Sequence, residues 1–389
     1  MEKNKNIYNF DHVTNRKNSD SLKWDKFLET NPIPLWVADM DFEAPTFISE
    51  CIQERARHKI FGYTHEPNNM KELICSYTLK EFNWEISPDW IVITPNIVSS
   101  LYILAKEMTK SGDSIIVPSP IYEHLTKACL FSNQKYIKAD LSNENDRLVL
   151  KESTLKKIKK NNTKLLLFCN PQNPGGTVYK KNELLEIINF CLENDVCVCS
   201  DEIHSGLILD QFNRHIPIAS LNKDISKKTV TLMSMNKTFN ISGIGLGWAI
   251  IENPVIRNNF KKNFEGIMPS PNIFGYLTTQ STLKFGEEWR KSLIDYLKEN
   301  RKIVYKFIKE SETLSCYKIE AGYLAWINCE KLALKDPFKF FLANGVALSA
   351  GAQFNASNHL RLNFATQKKT LNEALNRMKF ALTTLYKNE

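Results

Sequence analysis

Four polar residues at separate places along the chain could together carry out one piece of chemistry. Lys237 lies in Ser234-Met235-Asn236-Lys237-Thr238. Upstream stand Asn173, in Asn-Pro-Gln-Asn-Pro-Gly-Gly at 170–176, and Asp201, in Ser200-Asp201-Glu202-Ile203-His204. Downstream is Arg361, in Leu-Arg-Leu-Asn-Phe-Ala. An amine, an amide, a carboxylate and a guanidinium are the groups needed to hold and polarise pyridoxal 5′-phosphate with an amino acid attached. Singly, each has a plainer explanation. Most lysines are solvated, an Asp after a strand often caps a helix, Asn-Pro and Pro-Gly make turns, and arginines form structural ion pairs. Their joint occurrence in this order favours the chemical reading.

The expected roles follow from the groups. Lys237 attaches to the cofactor's aldehyde as an imine and, once freed by substrate, moves the Cα proton. Asp201 faces the pyridine nitrogen and keeps it protonated, making the ring an electron sink. Asn173 hydrogen-bonds the ring hydroxyl oxygen. Tyr122, after Pro118-Ser119-Pro120-Ile121, stacks on the ring. Arg361 grips the substrate α-carboxylate in a bidentate pair.

These residues need a scaffold that brings them together. Ser114–Val117, Lys164–Cys169, Val196–Ser200 and Val230–Ser234 are too continuously apolar for half-exposed strands and read as buried parallel ones. Lys181–Glu193 and Val98–Lys110 carry apolar residues at helical spacing. This alternation predicts an α/β large domain, a mostly parallel sheet flanked by helices. The chemistry-bearing segments all follow strands, where ligands of open α/β sheets bind. After about residue 286 the texture changes: a long charged helix at Glu287–Ile308, a strand pair at Tyr317–Ile319 and Tyr323–Asn328, Leu360–Phe364, and a last helix from Leu371. The predicted division is 46–286 for the large domain and 287–389 for a smaller α+β domain, with residues 1–45 packing on the latter.

With 389 residues, 43% apolar and 24% charged, the chain has an ordinary globular composition. No apolar stretch reaches the ~18 residues of a membrane span. The opening Met-Glu-Lys-Asn-Lys-Asn leads into no apolar signal segment, so a cytoplasmic location is expected. The net charge of +8 is scattered, with its densest lysine cluster at 155–160 reading as a solvated helix end, and no nucleic-acid module accompanies it. Nine cysteines without framework spacing read as reduced thiols, and no metal motif is present. Gly243-Ile244-Gly245-Leu246-Gly247 lacks dinucleotide spacing and precedes a strand-like run.

Taken together, the segments resemble fold-type I pyridoxal phosphate enzymes, the aspartate aminotransferase superfamily. Lys23-Trp24-Asp25, Pro34-Leu35-Trp36-Val37-Ala38-Asp39-Met40-Asp41-Phe42, Phe61-Gly62-Tyr63-Thr64, Asp201-Glu202-Ile203-His204 and Tyr323-Leu324-Ala325-Trp326-Ile327 narrow this to the cystathionine β-lyase-like (C–S lyase) subgroup. The Trp-Val-Ala-Asp-Met-Asp-Phe string is the most specific, since nothing generic in folding demands it. The resemblance runs from about residue 10 to the C-terminus. It implies a homodimer in which Tyr63 reaches the neighbouring subunit's cofactor phosphate. In its own subunit, Ser234 and the backbone amides of Ile97 and Val98 bind that phosphate, His204 joins the cofactor site, and Ala38 and Asn173 lie beside the substrate. Five departures from the family pattern stand out: Asn96 in place of a glycine at an expected left-handed turn, Asn236 in place of a serine, Gly175 and Thr177 in place of bulkier residues in the Asn-Pro loop, and Gly245 where many aminotransferases carry a phosphate-binding arginine that this subgroup often lacks too. The expected activity is β-elimination from a cysteine thioether such as cystathionine, to a thiol, pyruvate and ammonia. An aminotransferase, or a weakly catalytic relative kept for binding a partner, are the alternatives.

Overall fold

Seven strands form the central sheet of the computed structural model, which describes residues 8–27 and 30–387. They are β1 (Ile91–Thr94), β2 (Ser114–Ser119), β3 (Lys135–Asp140), β4 (Thr163–Cys169), β5 (Cys197–Asp201), β6 (Thr229–Ser234) and β7 (Gly247–Ile251). Their order is β1-β7-β6-β5-β4-β2-β3. Neighbours run parallel except at β7, which is antiparallel to both β1 and β6. Every residue of β1, β2, β6 and β7 is buried, as strands covered on both faces require. Only β3, at the edge, is largely exposed, and its lysines discourage a further strand from pairing there.

The two faces sort the apolar residues by strand alternation. Ile115, Val117, Leu165 and Leu167 pack with Leu101, Leu104 and Ala105 of the helix Ile97–Glu107. Ile116, Leu166 and Phe168 pack on the other side with Leu184, Ile187 and Ile188 of the helix Lys181–Glu193, whose bounds match the expectation. The helix expected over Val98–Lys110 begins a residue earlier because Asn96 caps it, its Oδ1 accepting from Ser99 N at 2.8 Å. Asn96 has φ −164, so the left-handed turn anticipated there is absent and the asparagine is an N-cap.

The C-terminal part holds a four-stranded antiparallel sheet in the order Ser315–Cys316, Leu324–Asn328, His359–Asn363, Ser349–Ala350. The strand expected at Tyr317–Ile319 lies two residues earlier. Its backbone is drawn elsewhere: Lys318 N donates to Asp146 O at 2.7 Å and Ile319 N to the Tyr305 hydroxyl at 2.7 Å. The helices Glu287–Lys309 and Lys368–Lys387 cover this part. Ile33–Pro34 pairs in parallel with Val346–Ala347, and Phe10 and Phe42 join Trp289 and Tyr296 in an aromatic cluster. Residues 1–7 of the expected N-terminal segment lie outside the described residues. No described helix is long and apolar enough to cross a membrane.

The Trp-Val-Ala-Asp-Met-Asp-Phe string does have a folding reason, contrary to the expectation. Asp41, buried, accepts from Lys23 Nζ at 2.7 Å, Trp24 Nε1 at 2.8 Å and Arg16 at 2.9 Å. Burial by itself would raise the Asp41 pKa, but Lys23, Trp24 and Arg16 outweigh it and hold the carboxyl below its usual range. Lys23 is 0% exposed, and Arg16 also pairs with Asp39 at 2.7 Å. Replacing Asp41 by Ala strands the buried ammonium. The expected cost is about 3–5 kcal/mol in urea unfolding, whereas an unchanged midpoint would show that the knot is dispensable.

Candidate active site

The carboxyl ends of β4, β5 and β6 deliver the segments with chemistry to one crevice. After β4 the chain turns through Asn170–Thr177, β5 ends on Asp201, and β6 leads through Ser234 to the short helix Asn236–Phe239 that bears Lys237. A cavity of about 230 Å³ opens there. Ala38, Ile97, Val98, Tyr122, Asn173, Asp201, His204, Lys237 and Arg361 all line it, as expected from the sequence. Ser234, expected at the phosphate of its own subunit, does not line it; it is buried with its hydroxyl donating to Leu246 O at 2.6 Å. Tyr63, expected at the neighbouring subunit's cofactor, is fully exposed on the surface.

Burial dominates the electrostatics. Lys237 Nζ donates to Ala38 O at 2.8 Å, and desolvation, aided by Arg361, lowers its pKa to about 8 against the pull of Asp39 and Asp201. Burial pushes Asp201 up to about 6 although Ile203 N donates to its Oδ1 at 3.2 Å, and neighbouring Glu202 adds to the rise. Burial holds His204 down at about 3, so its ring is neutral, and its Nδ1 has no partner among the described residues. Tyr122 is pushed up to about 12 by burial, and its backbone N donates to Asn173 O at 3.1 Å.

Arg361 is a buried cation whose partners are neutral. It donates to Asn173 Oδ1 at 3.0 Å, to Trp36 O at 3.3 Å and to Ser349 Oγ at 3.3 Å, and its guanidinium carbon lies 4.6 Å from the Phe354 ring centroid. Burial lowers its pKa to about 10. Its Nε, like the Asn236 Oδ1 nearby, has no partner among the described residues. Buried polar atoms left unpaired are costly unless a ligand completes them.

The Asn173 loop is held from three directions. Gln172 Nε2 donates to Pro120 O at 2.7 Å, and its Oε1 accepts from Gly175 N at 2.5 Å. A Cβ at 175 would sit 2.6 Å from that Oε1, so a larger residue there would displace the Gln172 carboxamide from these bonds. Thr177 Oγ1 accepts from Leu148 N at 3.1 Å. These contacts account for two of the departures from the subgroup. Beyond them, Arg147 bonds Glu183 at 2.6 Å, Glu320 at 2.8 Å and Val178 O at 2.8 Å, while Glu320 and Ala321 donate their backbone N–H groups to Gly176 O.

Several contributors escaped the sequence reading. Tyr323 Oη donates to Ala38 O at 3.2 Å, and Asn363 Nδ2 donates to Val37 O at 2.7 Å and Asp39 O at 2.8 Å. Asn363 was findable: it stands two residues after Arg361 on one strand and so faces the same side. Tyr323 stands in Tyr323-Leu324-Ala325-Trp326-Ile327, where nothing local points to Ala38 as its partner. Asn236, treated only as a departure, lines the cavity beside Lys237.

A family model for aminotransferase class I and II matches residues 30–378. Cystathionine beta-lyase PatB of Bacillus subtilis (strain 168) is 30% identical over 387 residues, covering 96% of this chain and 100% of the relative. The crystal structure of OvoB is similar at a TM-score of 0.95 and 36% identity, over 97% of this chain and 99% of that one. Cystalysin from Treponema denticola, solved with pyridoxal 5′-phosphate, is similar at a TM-score of 0.93 and 31% identity, over 97% and 100% of the two chains. Strand order, cavity position and these similarities agree: the chain belongs to the aminotransferase class I and II family, in its cystathionine β-lyase-like (C–S lyase) subgroup.

Proposed function

We propose that this chain is a carbon–sulfur β-lyase that cleaves cystathionine or a related cysteine thioether to a thiol, pyruvate and ammonia. Its cofactor is pyridoxal 5′-phosphate. The observation that carries an amino-acid-processing site is a buried guanidinium with only neutral partners, Arg361, in one cavity with a buried amine, Lys237; the choice of β-elimination is supported by the similarity to a relative named cystathionine beta-lyase. A cation so placed calls for a ligand carboxylate, and the amine for a proton to move.

The donor set fits the cofactor. When bound, pyridoxal phosphate supplies a carbon electrophile for an amino group and a protonated ring that draws electrons from Cα. Asp201, raised to about 6 by burial, gains a cationic partner if it faces the ring nitrogen. Asn173 offers an amide to the ring hydroxyl, while Tyr122 and the neutral His204 supply flat faces in the same cavity. Arg361 holds the substrate carboxylate, and its bond to Asn173 Oδ1 couples that grip to the ring's position. Lys237, at about 8, is partly neutral near physiological pH and so able to take the Cα proton. The leaving thiolate has an intrinsic pKa of ~8.5 and departs without a dedicated acid. A homodimer in which the exposed Tyr63 serves the partner subunit's cofactor phosphate, a cytoplasmic setting, and the division into 1–45, 46–286 and 287–389 belong to the same proposal.

Purified protein with pyridoxal phosphate and L-cystathionine should release pyruvate and homocysteine with no keto acid present. Lys237→Ala should lose at least 10²–10⁴-fold of the rate, roughly the worth of general acid–base catalysis. Arg361→Ala should raise KM roughly 10–100-fold, the range set by a charge-assisted hydrogen bond. Strict dependence on a keto-acid acceptor would make the chain an aminotransferase instead, and an equally active Lys237→Ala would refute the base assignment.

The depressed Lys237 pKa also sets a stability profile. Between about 8 and the ordinary 10.5 the unfolded chain carries a proton that the folded chain does not, so stability rises with pH across that window. Below it, folding bears the full cost of the buried charge. In the cofactor-free protein, Lys237→Met should therefore be more stable than wild type below pH 8, by about 3 kcal/mol. The advantage should fade as pH approaches 10.5 in thermal melts, and a difference independent of pH would contradict it.

A further inference from the structure

We propose that the carboxamide of Asn236 is the side-chain donor to the cofactor's phosphate in this chain, a place it can occupy only because residue 245 is glycine. This rests on the cofactor reading above. The amides of Ile97 and Val98 open an 11-residue helix at the cavity wall, and the first amides of a helix lack intrahelical partners. Asn96 Oδ1 takes up the next one, that of Ser99, which leaves those of Ile97 and Val98 for a ligand. An anion seated on them needs a further donor from the turn between β6 and Lys237. The Ser234 hydroxyl is already engaged, donating to Leu246 O at 2.6 Å and accepting from Asn236 N at 3.1 Å.

Asn236 remains. It is 6% exposed, it lines the cavity, and its Oδ1 has no partner among the described residues. A half-turn of the carboxamide exchanges its two ends, so the group can present N–H to an anion. A Cβ built on Gly245 would lie 1.7 Å from that Oδ1 and 2.6 Å from the Asn236 Cγ. The asparagine therefore fills the volume a side chain at 245 would need, and any residue there larger than glycine evicts it. Asn236 and Gly245 are one coupled exchange: the phosphate end of the cavity holds its dianion by neutral donors, with no guanidinium from position 245.

Pyridoxal, which lacks the phosphate, isolates this contribution. The purified protein is stripped of cofactor and titrated with pyridoxal phosphate or pyridoxal, following the absorbance change on binding. Asn236→Ala should weaken pyridoxal phosphate roughly 10-fold, the worth of one hydrogen bond to a charged group, and leave pyridoxal unchanged. Gly245→Ala should produce the same selective loss, and the double variant should be no worse than Gly245→Ala alone. Equal weakening of both ligands by Asn236→Ala, or weakening of neither, overturns the proposal, as does a Gly245→Ala protein that binds like wild type. Should Gly245→Ala not fold, Asn236→Ala decides the matter alone. A wild type that binds neither ligand defeats the cofactor reading itself, and this inference with it.

Discussion

Five consecutive carbonyl oxygens, from Trp36 to Met40, are each held by a side chain from elsewhere in the fold. Trp36 O receives Ser349 and Arg361, Val37 O receives Asn363, and Ala38 O receives Lys237 and Tyr323. Asp39 O receives Lys23 and Asn363, and Met40 O receives Arg16 and Asn240. A loop buried without a ladder must find partners for its backbone somewhere. Here the partners are the groups that line the cavity and those that brace it. The backbone is satisfied and the amine and guanidinium are aimed by the same bonds, so the loop and the cavity form one unit.

The charge balance in that unit is unfinished in the protein alone. Lys237 and Arg361 are both lowered by burial, and Arg361 further disfavours a charge on Lys237. Against them stand Asp39, which Arg16 already pairs, and Asp201, itself disfavoured as an anion. Binding an anionic ligand adds the missing negative charge and relieves a cost that folding has already incurred. Ligand affinity and folded-state stability are therefore linked through the same buried groups.

Much of the scaffold was legible in the sequence because burial on both faces leaves continuous apolar runs, as at Thr163–Cys169, and because Lys181–Glu193 repeats its apolar residues at helical spacing. The edge strand Lys135–Asp140 was not, since an exposed strand carries no such run. The reversal of β7 left no mark, because an antiparallel strand buried on both faces reads like its parallel neighbours. Within the site, residues at strand ends declared themselves by motif order. The placement of Ser234 did not, because the acceptor of its hydroxyl, Leu246 O, lies twelve residues on and is set by tertiary packing. Asn236 looked like a loss of pattern when read as a single letter, and its complement at Gly245 is visible only in three dimensions.

The bonds around Asn173 also have a vectorial meaning. The loop at 170–177 is fastened by Pro120 and Leu148, which precede it in the chain, but also by Glu320, and Asn173 itself meets Arg361. A growing polypeptide that has completed all seven strands of the central sheet still lacks the last two fasteners. The sheet can form during synthesis while the crevice at its end stays unformed, and contacts spanning more than 140 residues close it. A chain that still lacks Glu320 and Arg361 therefore holds the scaffold without the groups that complete the crevice, among them the guanidinium that, with burial, lowers the Lys237 pKa.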